Sequence, residues 1–390
     1  MKVAIIYQRL LDYDGKEQST GGIQTYLLHL GALCSKMGWN PVLFQFANRP
    51  FRRTINALEI VGVPVAGINR SHLLAPLMFK SKKLELLMAA KREINVTKDI
   101  IIFGADWCSV KTDNRRCIAI QHGISWDLPT RYMTNRKVFE SGWGATMGKW
   151  FFIRSATRDF ENCQNRVCVD YNFLNWYRTT SGVATKGKIW VIPNFASSIA
   201  SPEQITVRRR TTDNVRILFA RRFTSYRGVH IMAETAKEIL QRYDKVSFTF
   251  AGEGPEEIWL KEQFFEEKRV TFTKYLPHEV LDIHLVHDIA VIPSVASEGT
   301  SLSVAEAMGA GCVVVAAAVG GITNMIINGY NGILVMPDVS SLTAGLELVL
   351  KNADLRIHLM KRAYETAKEA FVLEIWEERW QKVLLEVAGH

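Results

Sequence analysis

Short apolar runs recur along this chain, and the stretches between them return an apolar residue every three or four positions. In the first half the runs are Lys2–Tyr7, Val42–Phe46, Ile100–Phe103, Ile118–Gln121, Val167–Val169 and Ile189–Ile192. Ile23–Met37 has the period of an amphipathic helix, and Gly38-Trp39-Asn40-Pro41 ends it. Beyond residue 214 the pattern restarts, with strands at Val215–Phe219, Val246–Ala251, Val270–Phe272, Ile289–Ile292 and Val313–Ala316 and a helix at Val229–Tyr243. Strands alternating with helical stretches predict parallel βαβ units. A chain of 390 residues predicts two domains of ordinary size. The expected fold class is therefore α/β, with two Rossmann-like domains facing across a cleft. Residues 1–196 form the first domain, a polar linker follows at 197–214, and 215–373 form the second. The last segment, 374–390, is an amphipathic helix with Trp376 and Trp380 on one face, able to cross back to the first domain.

One strand-loop-helix junction carries the candidate chemistry. Glu298-Gly-Thr-Ser-Leu-Ser-Val-Ala-Glu306 follows a strand that stops at Pro293, and it opens an apolar helix. The first turn of a helix has unpaired N–H groups and a partial positive charge, so an anion is its natural ligand. Gly299 lets backbone approach closely, Thr300 and Ser301 offer a cap and hydroxyl donors, and Leu302 begins the helix. Glu306 would lie one turn in, where a carboxylate accepts from a ribose diol. Glu298 would face whatever hangs beyond the phosphates. Taken alone, the junction also reads as a capped surface helix with two solvated acids.

Further residues point at the same cleft. Gly21-Gly22 lies between the first strand and the first helix, where backbone N–H groups cradle phosphate. Arg222 and Arg227 flank a loop after the first strand of the second domain, and two guanidinium groups there would clamp a diphosphate. His122-Gly123 ends a strand of the first domain. Together with Val191-Ile-Pro-Asn194, Gly252-Glu-Gly-Pro255, Pro293-Ser294, Gly320-Gly321 and Asn331-Gly332, these residues resemble the retaining glycosyltransferases of the large family 4. The resemblance runs nearly end to end. It departs where the family's Gly-Arg is Arg221-Arg222, where its lysine is Arg227, and where its serine is Asp170.

The resemblance implies the GT-B fold and transfer of a hexose from a nucleotide sugar with retention of configuration. It assigns Arg222 and Arg227, with the N–H groups of Thr300–Leu302 and Gly22, to the donor diphosphate. It assigns Glu306 to the ribose, Glu298 to the sugar and His122 to the sugar from the opposite domain. A UDP-sugar is expected ahead of a GDP-sugar, with no cofactor and no metal, because cationic side chains and helix dipoles offset the leaving charge. A nucleotide-sugar epimerase on the same architecture is the rival enzyme reading.

The net charge of +9 divides unevenly: residues 1–200 carry +13 and the rest −4. A basic half suggests an anionic partner. A nucleic-acid binder is the third reading, but no recognition motif supports it and the charge lies among apolar residues. Leu73–Arg92 mixes leucines and methionines with Lys80, Lys82 and Lys83, and Lys149-Trp150-Phe-Phe-Ile-Arg154 repeats the mix. Both fit an anionic membrane surface. A cytoplasmic protein, peripheral on the inner face of the cytoplasmic membrane and extending bacterial surface glycans (O-antigen, capsule or lipopolysaccharide), is the expectation. No signal peptide and no spanning segment are expected. Six cysteines without C-x-x-C pairs read as free thiols rather than disulfides or a zinc site.

Overall fold

The computed structural model describes residues 1–19, 21–65, 75–124, 126, 143–182, 187–208 and 214–389, and of 75–81, 143–147 and 206–208 the backbone alone. Two open sheets are present. The first holds β1 (Lys2–Ile6), β2 (Asn40–Ala47), β3 (Phe51–Ile55), β4 (Leu58–Pro64), β5 (Ile100–Phe103), β6 (Cys117–Gln121), β7 (Asn165–Cys168) and β8 (Lys188–Val191), in the order β3-β4-β2-β1-β5-β6-β7-β8. Every pair in it is parallel except β3 with β4. The second holds β9 (Val215–Ala220), β10 (Val246–Ala251), β11 (Val270–Thr273), β12 (Ile289–Ile292), β13 (Val313–Ala317) and β14 (Ile333–Val335). It is parallel throughout, in the order β11-β10-β9-β12-β13-β14. Strands such as β5, β12 and β13 are apolar at every position because helices cover both faces of a parallel sheet.

In each sheet the strand order reverses beside the first strand, between β1 and β5 and between β9 and β12. A crevice opens there at the C-terminal edge, the usual ligand position in such sheets. The predicted strands and the Val229–Arg242 helix appear within one or two residues of expectation. Two strands went unforeseen in the β3–β4 hairpin, whose turn, Asn56-Ala57, has φ of 48° and 66°. The segment expected as a plain linker contains a short helix, Pro202–Arg208, and Ala200 and Ile205 pack into the second core. All six cysteines are free and buried.

The last helix, Leu373–Ala388, lies against the first domain although it follows the second in sequence. Trp376 and Trp380 are fully buried among Tyr26, Leu27 and Phe195, and Trp380 Nε1 donates to the Tyr26 hydroxyl at 2.7 Å. Lys36–Glu377 and Lys188–Glu386 ion pairs fringe the contact. Trp380→Ala removes a large side chain from a closed core and should destabilise the protein by about 3–5 kcal/mol. Chemical denaturation followed by fluorescence should show it as a lower midpoint, and an unchanged midpoint would refute the clamp.

Candidate active site

Glu298 lies in the loop after β12 and is held by three groups. Arg221 Nη2 is 2.7 Å from Oε1, Arg227 Nη1 is 2.6 Å from the same oxygen, and the Ser294 hydroxyl donates to it as well. Burial alone would raise the pKa of this carboxyl, but Arg221 and then Arg227 outweigh it and hold Glu298 well below the usual carboxylate range. It is therefore an anion at any physiological pH. Arg221 continues β9, its N–H donating to Ala251 O at 3.0 Å, and its side chain crosses to the end of β12, where Nη1 donates to Ser294 Oγ at 2.6 Å. It thus lies in the crevice between β9 and β12.

Sequence reasoning assigned Arg222 to the donor diphosphate and gave Arg221 no role. In the structure Arg222 is exposed, and among the described residues no side-chain ion pair or hydrogen bond engages it. The available signal was position. An arginine that prolongs a strand buried on both faces is carried inside, and a buried guanidinium requires a carboxylate. Arg227 stands half-buried over the Tyr226 ring at 5.2 Å. The Gly228 that follows has φ 79°, and a Cβ there would lie 1.8 Å from Pro293 O, so only glycine admits this turn.

Glu306 sits on the Leu302–Gly309 helix, as expected, and its carboxyl has no hydrogen-bonding partner among the described residues. Burial raises its pKa to about 7, with Arg221 pulling the other way. The helix begins at Ser301 with no side-chain cap. The Gly22–Lys36 helix begins at Gly21, also uncapped by a side chain. A Cβ on Gly22 would stand 3.4 Å from Leu302 Cδ1, so the two helix starts face each other across the cleft. Two uncapped N-termini, with Arg227 on the adjoining Glu298, form an anion environment.

Thr300 differs from expectation. Its hydroxyl donates to Val169 O at 2.7 Å and accepts from Asn194 N at 2.8 Å, so it binds the two domains together rather than facing a ligand. Gly123 has φ 114°, and a Cβ on it would lie 2.4 Å from Gly299 N. The two domains therefore meet backbone to backbone at this point. His122, at the end of β6, has Nε2 2.8 Å from Gly104 O and its ring edge-on to Tyr26. A carbonyl only accepts, so Nε2 carries the proton and Nδ1 keeps a lone pair. Burial lowers its pKa to about 4, so the ring is neutral. Asp170 is fully buried where the domains touch; its Oδ1 caps the Tyr171–Ser181 helix, Oδ2 has no partner among the described residues, and burial raises its pKa to about 6.

Of the residues expected on a membrane face, Lys149, Trp150 and Arg154 are exposed on the Trp143–Glu161 helix, with Arg154 over the Trp150 ring at 5.2 Å. Lys83 is a correction: it is buried and pairs with Asp159 at 3.2 Å, joining the Ala75–Glu93 and Trp143–Glu161 helices. Lys82 is half-buried, and the Lys80 side chain lies outside the described residues. No helix among the described residues is long and apolar enough to cross a membrane.

Residues 201–366 match the protein-family model Glycosyl transferases group 1. The chain is 27% identical over 217 residues to an uncharacterized glycosyltransferase of Methanocaldococcus jannaschii, covering 54% of this chain and 52% of that protein. It is 30% identical over 168 residues to glycogen synthase of Mycobacterium tuberculosis, covering 42% and 40%. It thus spans about half the length of these curated relatives. Sucrose-phosphate synthase from Thermosynechococcus elongatus superposes with a TM-score of 0.77 at 16% identity, over 100% of this chain and 99% of that one. Anabaena HepE, solved in complex with UDP and glucose, gives 0.70 at 16% identity over 98% and 99%. The architecture is that of the GT-B enzymes: two Rossmann-like domains. Its second domain carries the glycosyl transferases group 1 match.

The raised pKa of Glu306 has a consequence for stability. Between the ordinary glutamate value and about 7 the unfolded chain has lost this proton while the folded protein keeps it. Stability therefore falls as pH rises through that window, and the penalty stays constant above it. Glu306→Gln should raise the melting temperature at pH 8, with the gain shrinking toward pH 4.5. Calorimetry across that range checks the sign; a gain that grows toward acid pH would be incompatible with it.

Proposed function

We propose that this protein is a retaining glycosyltransferase that moves a hexose from a nucleoside-diphosphate sugar to a glycan or lipid-linked acceptor. The observation that carries this reading is the convergence of Arg221 and Arg227 on Glu298 beside two uncapped helix starts. Two guanidinium groups against one carboxylate leave a surplus of about one positive charge, and the partial charges of two helix starts add to it, which suits a diphosphate. Glu306, whose carboxyl has no partner among the described residues, accepts from the ribose diol once ionised. His122 accepts a hydrogen bond from a sugar hydroxyl at Nδ1. UDP is the favoured carrier; structures of similar fold include Anabaena HepE with UDP-glucose and an Escherichia coli trehalose-6-phosphate protein with UDP-2-fluoro glucose.

In the reaction the bond from the sugar C1 to the diphosphate oxygen breaks, and an acceptor oxygen bonds to C1 on the same face. The acceptor proton passes to the departing phosphate oxygen. Negative charge grows on the diphosphate, and Arg222, Arg227 and the helix amides offset it, so these side chains supply what a metal ion would otherwise supply.

The acceptor is brought by a surface. Trp150 and Phe151 are 52% and 60% exposed, and Leu84 and Met88 are 50% and 49% exposed on the neighbouring helix. With Lys149, Arg154 and Arg158 they suit an anionic lipid surface, aromatic rings at the headgroups. The enzyme works peripherally at the inner face of the cytoplasmic membrane, building bacterial surface polysaccharide.

Arg227→Ala should lower transfer, or slow donor hydrolysis, by more than about a hundredfold if it offsets leaving-group charge. A panel of nucleotide sugars with each variant measures this, and near-normal turnover would remove Arg227 from the mechanism. Combining Lys149→Glu, Trp150→Ala and Arg154→Glu should sharply reduce co-sedimentation with vesicles containing phosphatidylglycerol while donor hydrolysis persists. Equal sedimentation would discard this face.

A further inference from the structure

We propose that Arg221 is the internal counter-ion of Glu298, and that it frees Arg227 to take the donor diphosphate. This rests on the nucleotide-sugar reading above and concerns a residue that stands where the resembling family has glycine. Arg221 and Arg227 share one carboxylate oxygen, but they are held differently. The Arg221 side chain is 5% exposed and has two anchors, Ser294 and Glu298. The Arg227 side chain is 31% exposed, and Glu298 is its one ion-pair partner among the described residues. A diphosphate arriving at the crevice competes for whichever guanidinium can turn toward it. Arg227 can, because its side chain keeps that exposure and, besides Glu298, is held among the described residues only by Tyr226, over whose ring it lies. Its departure does not strand Glu298, since Arg221 and Ser294 remain on that carboxylate.

Without Arg221 the balance changes. Glu298 would keep Arg227 as its sole cation, and a buried carboxylate resists losing its last counter-ion. The diphosphate would then have to break that pair to bind. Arg221 is thus a positioning residue: it need not touch the donor, and it sets which partner Arg227 serves. A neutral side chain at 221 impairs diphosphate binding only while Glu298 is charged.

Titration calorimetry of the full chain with UDP and GDP tests this on wild type, Arg221→Gln, Glu298→Gln and the double variant. Arg221→Gln should weaken binding of the preferred diphosphate about tenfold or more. The double variant, with no carboxylate to hold Arg227, should recover to within about threefold of wild type. Arg221→Lys, which keeps the charge, should lie close to wild type, and it carries the comparison should Arg221→Gln fold poorly. Unchanged binding in Arg221→Gln overturns the proposal. So does a double variant as weak as Arg221→Gln, since a merely structural role gives no rescue. A wild-type protein that binds neither diphosphate overturns the nucleotide-sugar reading itself, and this proposal with it.

Discussion

A carboxylate taken out of water must be given cations, and in this protein that requirement organises the cleft. Glu298 is buried at the point where the strand order of the second sheet reverses. The cations come from the two ends of the loop that follows β9, Arg221 at its start and Arg227 at its close. Their attraction to one carboxylate brings the end of β9 and the loop after β12 together. The same cluster leaves net positive charge at the helix start, so a structural constraint and an anion site are one arrangement. Glu306 is the complement: Arg221 is committed to Glu298, the Glu306 carboxyl has no partner among the described residues, and burial raises its pKa to about 7.

Closure of the cleft depends on missing side chains. Gly123 and Gly299 let two backbones touch where any Cβ would collide. Thr300, Asn194 and Val169 then exchange hydrogen bonds across the same seam. The terminal helix adds a second connection, anchoring tryptophans in the first domain beyond the chain's passage through the second.

Much of the fold was legible because parallel strands covered on both faces leave continuous apolar runs, and most of the predicted strands lie on such runs. The β3–β4 hairpin was not, because β3 is largely exposed and carries Arg52, Arg53 and Thr54 instead of an apolar run. Its turn uses Asn-Ala, not the Asn-Gly pair that marks such hairpins. In the site, Glu306, Gly22 and the helix start were readable as residue types at a junction. Arg221 was not, since two adjacent arginines look alike in sequence and only the pleat decides which one points inward. Lys83 was misjudged for a related reason, its partner Asp159 being 76 residues away.

Local chemistry, then, was written along the chain: glycines at turns, an apolar strand before a loop of small and hydroxyl residues, carboxylates spaced about a helix start. These depend on near neighbours and survive without tertiary knowledge. The tertiary structure decided everything set by distant partners. It tied Glu298 to Arg221 and Arg227, buried Glu306 with its pKa raised, turned Thr300 into a bridge and carried the last helix back to the first domain. The physical reason is that burial and charge compensation are properties of an assembled interior, where an ion's state depends on residues far away in sequence.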